Sequence, residues 1–73
     1  MKKVFIKTAT INLDQFLKWA GAVATGGEAK NLIKEGRVKV NGRAEVRRSK
    51  KLYPGNVVEI FDETFMVARG EDG

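Results

Sequence analysis

Nine of the fourteen lysines and arginines in this 73-residue chain fall between Lys30 and Lys51. Only Glu35 and Glu45 oppose them there, so the segment carries a net charge of +7. Residues 1–29 carry +2 and residues 52–73 carry −4, giving the overall +5. Charge segregated in this way is a binding footprint for a polyanion more often than a solubility device. A solvated basic face is the plainer alternative. Arginine suits bidentate phosphate contact and stacks on exposed bases, while lysine acts as a point charge. Arg37, Lys39, Arg43, Arg47, Arg48, Lys50 and Lys51 are therefore candidate contacts to such a polyanion. Lys30 and Lys34 join them from the preceding stretch, on one face of an expected helix. That helix opens with Thr25-Gly26-Gly27-Glu28, where the glycines leave backbone N–H groups open to a phosphate at the positive end of the helix dipole.

Catalytic chemistry has little to work with. Histidine and cysteine are absent, which removes the commonest general base, the commonest metal ligand and every thiolate. The acids Glu59, Asp62 and Glu63 have no spaced ligand loop around them, so neither a metal nor a cofactor is expected. No enzyme activity is expected either. The absence of cysteine agrees with a reducing cytoplasm. No run approaches the roughly 18 apolar residues of a membrane span, and Met1 to Lys7 lacks the form of a signal peptide. We expect a cytoplasmic monomer that does not engage membranes, comprising one domain over residues 1–73.

The elements that must carry these residues are short. Val4-Phe5-Ile6 is a strand candidate. Leu13, Phe16, Leu17 and Ala20 recur at helical spacing, with Asn12 as the expected cap, Gln15 answering it and Gly21 as the stop. Thr25 and Glu28 form a capping box for a second helix with Ala29, Leu32 and Ile33 inward and Gly36 at its end. Val38 and Val40 alternate with Arg37 and Lys39 as in a half-buried strand. Asn41-Gly42 marks a turn. A strict two-residue loop would pair Val40 with Arg43. Pairing Val40 with Ala44 and Val38 with Val46 suits the core better, and we expect that register. A second hairpin is expected across Asp62-Glu63, with Ile60 facing Phe65 and Val58 facing Val67. Trp19 is expected at the rim of the core and Tyr53 in turn packing beside Pro54. Gly70-Glu71-Asp72-Gly73 should fray. The expected fold class is α+β: two short helices on a small, mostly antiparallel sheet of four to five strands.

These residues resemble a known family. Asn12-Leu13-Asp14-Gln15-Phe16-Leu17, Thr25 to Ile33, Gly36-Arg37-Val38-Lys39-Val40-Asn41-Gly42 and Leu52-Tyr53-Pro54-Gly55-Asn56-Val57-Val58 together look like the S4 RNA-binding domain. Its helix–loop–helix–hairpin is the αL motif, here over about residues 11–61. The string from Glu45 to Leu52 is similar to the small stand-alone bacterial S4 proteins of the YaaA and YbcJ type. The resemblance implies structured RNA as ligand, ribosomal RNA ahead of transfer RNA, with ribosomal particles as a further partner. By position it implies contacts at Thr25, Gly26, Gly27, Lys30, Lys34, Arg37, Lys39 and Arg43. Asn12 and Gly26 stand where many members carry arginine. A protein-interaction adaptor with a basic docking face, or a binder of duplex DNA, are the competing expectations.

Overall fold

The computed structural model describes residues 1–70. In chain order the elements are β1 (Lys2–Ile6), β2 (Ile11–Asn12), α1 (Leu13–Trp19), α2 (Gly26–Lys34), β3 (Lys39–Val40), β4 (Arg43–Ala44), β5 (Lys51–Leu52), β6 (Val57–Ile60) and β7 (Glu63–Arg69). Five strands form one sheet in the order β1-β7-β6-β3-β4. All its pairs are antiparallel except β1 with β7. This is the expected α+β class. The separate two-stranded pair of β2 and β5 was not expected, because two residues are too few to show an alternation. The anticipated fraying of the last residues lies, beyond Gly70, outside the described residues.

Neither helix has the length to be stable alone, so each depends on what it buries. α1 sinks Leu13, Phe16 and Leu17 completely, and α2 sinks Ala29 and Ile33. They meet Val38, Val40, Val58, Ile60, Phe65 and Val67, which share one face of the sheet through the period-two alternation of its strands. Phe16 meets Phe65 edge to face, with ring centroids 6.5 Å apart and planes at 80°. Gly21 and Gly36 follow the two helices at φ of 79° and 76°, the left-handed stops that the pattern requires.

Both hairpins differ from the expected register, for different reasons. In the first, Val40 pairs with Arg43 and Lys39 with Ala44. Asn41 and Gly42 occupy φ of 52° and 85°, the two left-handed positions of a tight hairpin turn. Turn chemistry prevails because β6 already flanks Val40 on its other side, so an apolar partner in β4 is not needed. Val46 accordingly stays 62% exposed. In the second hairpin Val58 pairs with Phe65 and Ile60 with Glu63, and the loop is Phe61-Asp62. This is two residues of slip from the expected pairing. A shift of two leaves every side chain on its original face, so hydrophobic alternation does not distinguish the two registers.

The cap of α1 also differs. Asn12 is extended and its side chain makes no capping bond, while Gln15 merely donates its amide to Asp14 Oδ1 at 2.8 Å. The first helical amides are met by another part of the chain. Leu13 N–H donates to the Lys50 carbonyl at 2.8 Å and Asp14 N–H to the Arg48 carbonyl at 3.1 Å. A helix start leaves such donors without intrahelical partners, and here the basic loop satisfies two of them.

Candidate nucleic-acid interface

The capping box of α2 forms. Thr25 Oγ1 accepts from the Glu28 amide at 3.1 Å, and Glu28 Oε1 accepts from the Ala24 amide at 3.0 Å. Glu28 thus reaches back one residue further than the cap itself. The amides of Gly26 and Gly27 have no partner among the described residues. Neither glycine sits at positive φ, and a Cβ added to Gly26 would meet nothing within 4 Å. At Gly27 it would only touch Thr25 Oγ1 at 4.0 Å. The fold itself therefore does not require glycine at either place. Lys30 and Lys34 follow on the same side of the helix, both exposed, opposite the buried Ala29 and Ile33.

A second basic sector is the stretch from Arg47 to Lys51. Its backbone is fixed by the two carbonyl bonds to α1, by the Arg47 carbonyl accepting from Lys50 N–H at 3.2 Å, and by the pairing of Asn12 with Lys51. Leu52, fully buried, anchors the end. The Arg48 and Lys50 carbonyls turn inward to the helix, while the side chains of Arg47, Arg48 and Lys51 remain exposed and Lys50 is half-buried. Glu45 accepts from the Arg47 amide at 3.1 Å and from its guanidinium at 3.2 Å. These bonds hold the Glu45 carboxyl below the usual carboxylate range. The pair therefore favours the folded loop at neutral pH and ceases to do so as pH falls through that lowered range.

The hairpin divides its charges between two faces. Arg43 lies opposite Val40, on the helix side of the sheet at its edge, where it is exposed. Lys39 lies on the other face, directly across from Glu59. Arg37 and Lys39 line a groove of about 560 Å³ together with Glu59, Asp62 and Glu63. Arg37 is also bonded to Glu35 at 2.8 Å. α2 does lead into the hairpin through Gly36, but Lys39 enters a face of mixed sign instead of extending the lysine stripe.

The sequence profile of the S4 domain family matches residues 4–68. This chain belongs to the S4 domain family. It is 47% identical over 57 residues to the probable ribosome maturation protein RlbA of Bacillus subtilis, covering 78% of this chain and 80% of that one. It is 41% identical over 59 residues to the tyrosine–tRNA ligase of Nitrosomonas europaea, covering 81% of this chain but 14% of the ligase. The solution structure of E. coli YbcJ, described as having an αL motif involved in RNA binding, matches with a TM-score of 0.71 and 32% identity. That match covers 93% of this chain and 87% of YbcJ. The trimeric structure of Vibrio cholerae heat shock protein 15 shares the fold, with a TM-score of 0.73 and 24% identity over 86% of this chain and 67% of that one.

In this S4 domain two aromatic side chains sit differently from expectation. Trp19 is 57% exposed, so it does not close the core rim; its indole N–H donates to the Phe5 carbonyl at 2.9 Å. Tyr53 is 54% exposed, and only its backbone serves the turn. The loop carbonyls that cap α1 have no sequence signature at all, since every residue carries the same acceptor. No helix of the described residues is long and apolar enough to cross a membrane.

Proposed function

We propose that this protein is a non-catalytic, cytoplasmic RNA-binding protein that acts as a monomer on structured RNA, ribosomal RNA in the first place. The observation that carries the reading is the display of charge. Of the nine cations between Lys30 and Lys51, only Arg37 and Arg47 pair with a carboxylate within 4 Å among the described residues. The other seven have no such partner, and a polyanion would supply it. RNA is favoured over duplex DNA because the αL motif of YbcJ, 32% identical, is described as involved in RNA binding. Ribosomal RNA is favoured over transfer RNA because RlbA matches over 80% of its length and the tRNA ligase over 14%. The same match supports a role in ribosome maturation.

In this reading the α2 amides at Gly26 and Gly27, with Lys30 and Lys34, hold one stretch of RNA backbone. Arg47, Arg48, Lys50 and Lys51 hold another, and Arg43 contributes from the sheet edge. Arg37, Lys39 and Arg47 act more weakly, because Glu35, Glu59 and Glu45 stand against them. Recognition by phosphate contact and helix shape needs no base reading. Binding to a ribosomal RNA fragment should therefore weaken steeply with salt, with a log–log slope of about −3 to −5 for roughly five phosphates. A flat response in a filter-binding or fluorescence titration would rule out the phosphate mechanism.

The glycines offer a test with opposite signs for stability and binding. Gly26→Ala and Gly27→Ala should each stabilise the fold by about 0.5–1 kcal/mol, since alanine fits and loses less chain entropy. Each should weaken RNA binding several-fold, because a methyl group then stands where a phosphate oxygen approaches the amides. Urea denaturation beside an RNA titration reads both. Stabilised variants with undiminished affinity would place the RNA backbone away from this helix start.

A further inference from the structure

Tyr53 is the feature of the basic loop that phosphate binding does not use. Its backbone is locked: the amide donates to Asn56 Oδ1 at 2.8 Å, and its carbonyl accepts from the Asn56 amide at 3.0 Å. On one side Leu52 is buried and paired with Ile11; on the other Gly55 completes the turn at φ 98°. The ring on this rigid mount is nonetheless 54% exposed, and its hydroxyl makes no hydrogen bond among the described residues. Trp19, similarly exposed, has its polar atom committed to Phe5. Tyr53 lines a groove of about 270 Å³ with Arg47, Ser49, Lys50 and Lys51. An aromatic face beside three cations combines the two elements of single-stranded nucleic acid recognition, a stacking platform and a charged track for the backbone.

We infer that Tyr53 and its groove form a stacking site for one unpaired RNA base, with Arg47, Lys50 and Lys51 holding the adjoining phosphates. The inference rests on the RNA-binding reading and adds to it. Paired bases in an A-form helix present only their edges, so a ring of this kind gains nothing from a perfect duplex. It gains from a bulged or looped nucleotide whose face is free. The site would make a protein with a shape-directed interface prefer helices interrupted by an unpaired base.

The test compares two probes, each a short RNA hairpin whose terminal loop is replaced by a non-nucleotide linker, one carrying one bulged uridine and the other without the bulge. The wild-type protein should bind the bulged hairpin more tightly. Tyr53→Ala and Tyr53→Leu should lose roughly tenfold for the bulged hairpin, within the usual range for one stacked base, and leave the perfect hairpin unaffected. Tyr53→Phe should behave as wild type. A circular dichroism melt confirms that each variant folds, and Tyr53→Leu preserves bulk if Tyr53→Ala does not fold. Equal affinity of wild type for the two hairpins, or equal losses on both, would overturn the stacking site while leaving RNA binding intact. Failure of the wild-type protein to bind either hairpin at low salt would overturn both readings.

Discussion

Replacing Lys30, Lys34 and Arg48 together by glutamate is expected to lower affinity for a ribosomal RNA fragment about 100-fold near physiological salt. The magnitude follows from counterion release. Removing one phosphate-neutralising cation costs about fourfold at ~0.15 M salt, and three removals with added repulsion give about 100-fold. The log–log salt slope should shrink in magnitude by about 2–3 in the same variant. The fold should survive, because all three side chains are exposed and none takes part in an ion pair among the described residues. The matching control is Arg37→Glu with Lys39→Glu. Those cations face Glu35 and Glu59, so their reversal should cost several times less. Electrophoretic mobility shift over a salt series measures both quantities. If the control weakens binding as much as the triple variant, the interface runs over the outer face of the sheet.

That contrast is not legible in the sequence. The alternation of Arg37, Val38, Lys39 and Val40 correctly separates buried from exposed positions. It carries no information about which strand lies beside β3. Lys39 meets Glu59 through a pairing that spans twenty residues of chain, and one slip of register would have given it another neighbour. The helices are legible for the opposite reason: capping residues, stops and apolar spacing are local. Thr25 and Glu28 make their bonds three and four residues away. Asn12 misleads because the amides it should cap are served from Lys50 and Arg48, a contact that only the folded chain creates.

The basic loop shows why position matters more than charge count. Four cations within five residues would repel one another on a free segment and sample many arrangements. Here Leu52, the pairing of Asn12 with Lys51 and the two carbonyl bonds to α1 fix their backbone before any ligand arrives. The ordering entropy is spent in folding, so less remains to be given up on binding. The loop in turn completes α1, whose first amides would otherwise need water or a side chain. Stability of α1 and order in the basic loop are one structural fact.

Phe16→Ala is accordingly expected to be the most damaging single change in the chain. Phe16 is fully buried and meets Phe65 edge to face. Truncating such a ring costs about 3–5 kcal/mol through forfeited transfer energy and the cavity left behind. A domain of this length has about 4–11 kcal/mol in total, so the variant keeps little margin and its thermal midpoint should fall by more than about 15 °C. Phe61→Gly is the contrasting change. Phe61 is 54% exposed at φ 53°, a conformation that disfavours a bulky side chain. Its replacement should move stability by less than about 1 kcal/mol. Differential scanning calorimetry separates the two variants. The functional consequence of Phe16→Ala runs through folding alone, since the ring reaches no surface. At a temperature low enough to keep the variant folded, its RNA affinity should return to the wild-type value. A deficit persisting in the folded variant would mean that α1 shifts and carries the Arg48–Lys50 backbone with it.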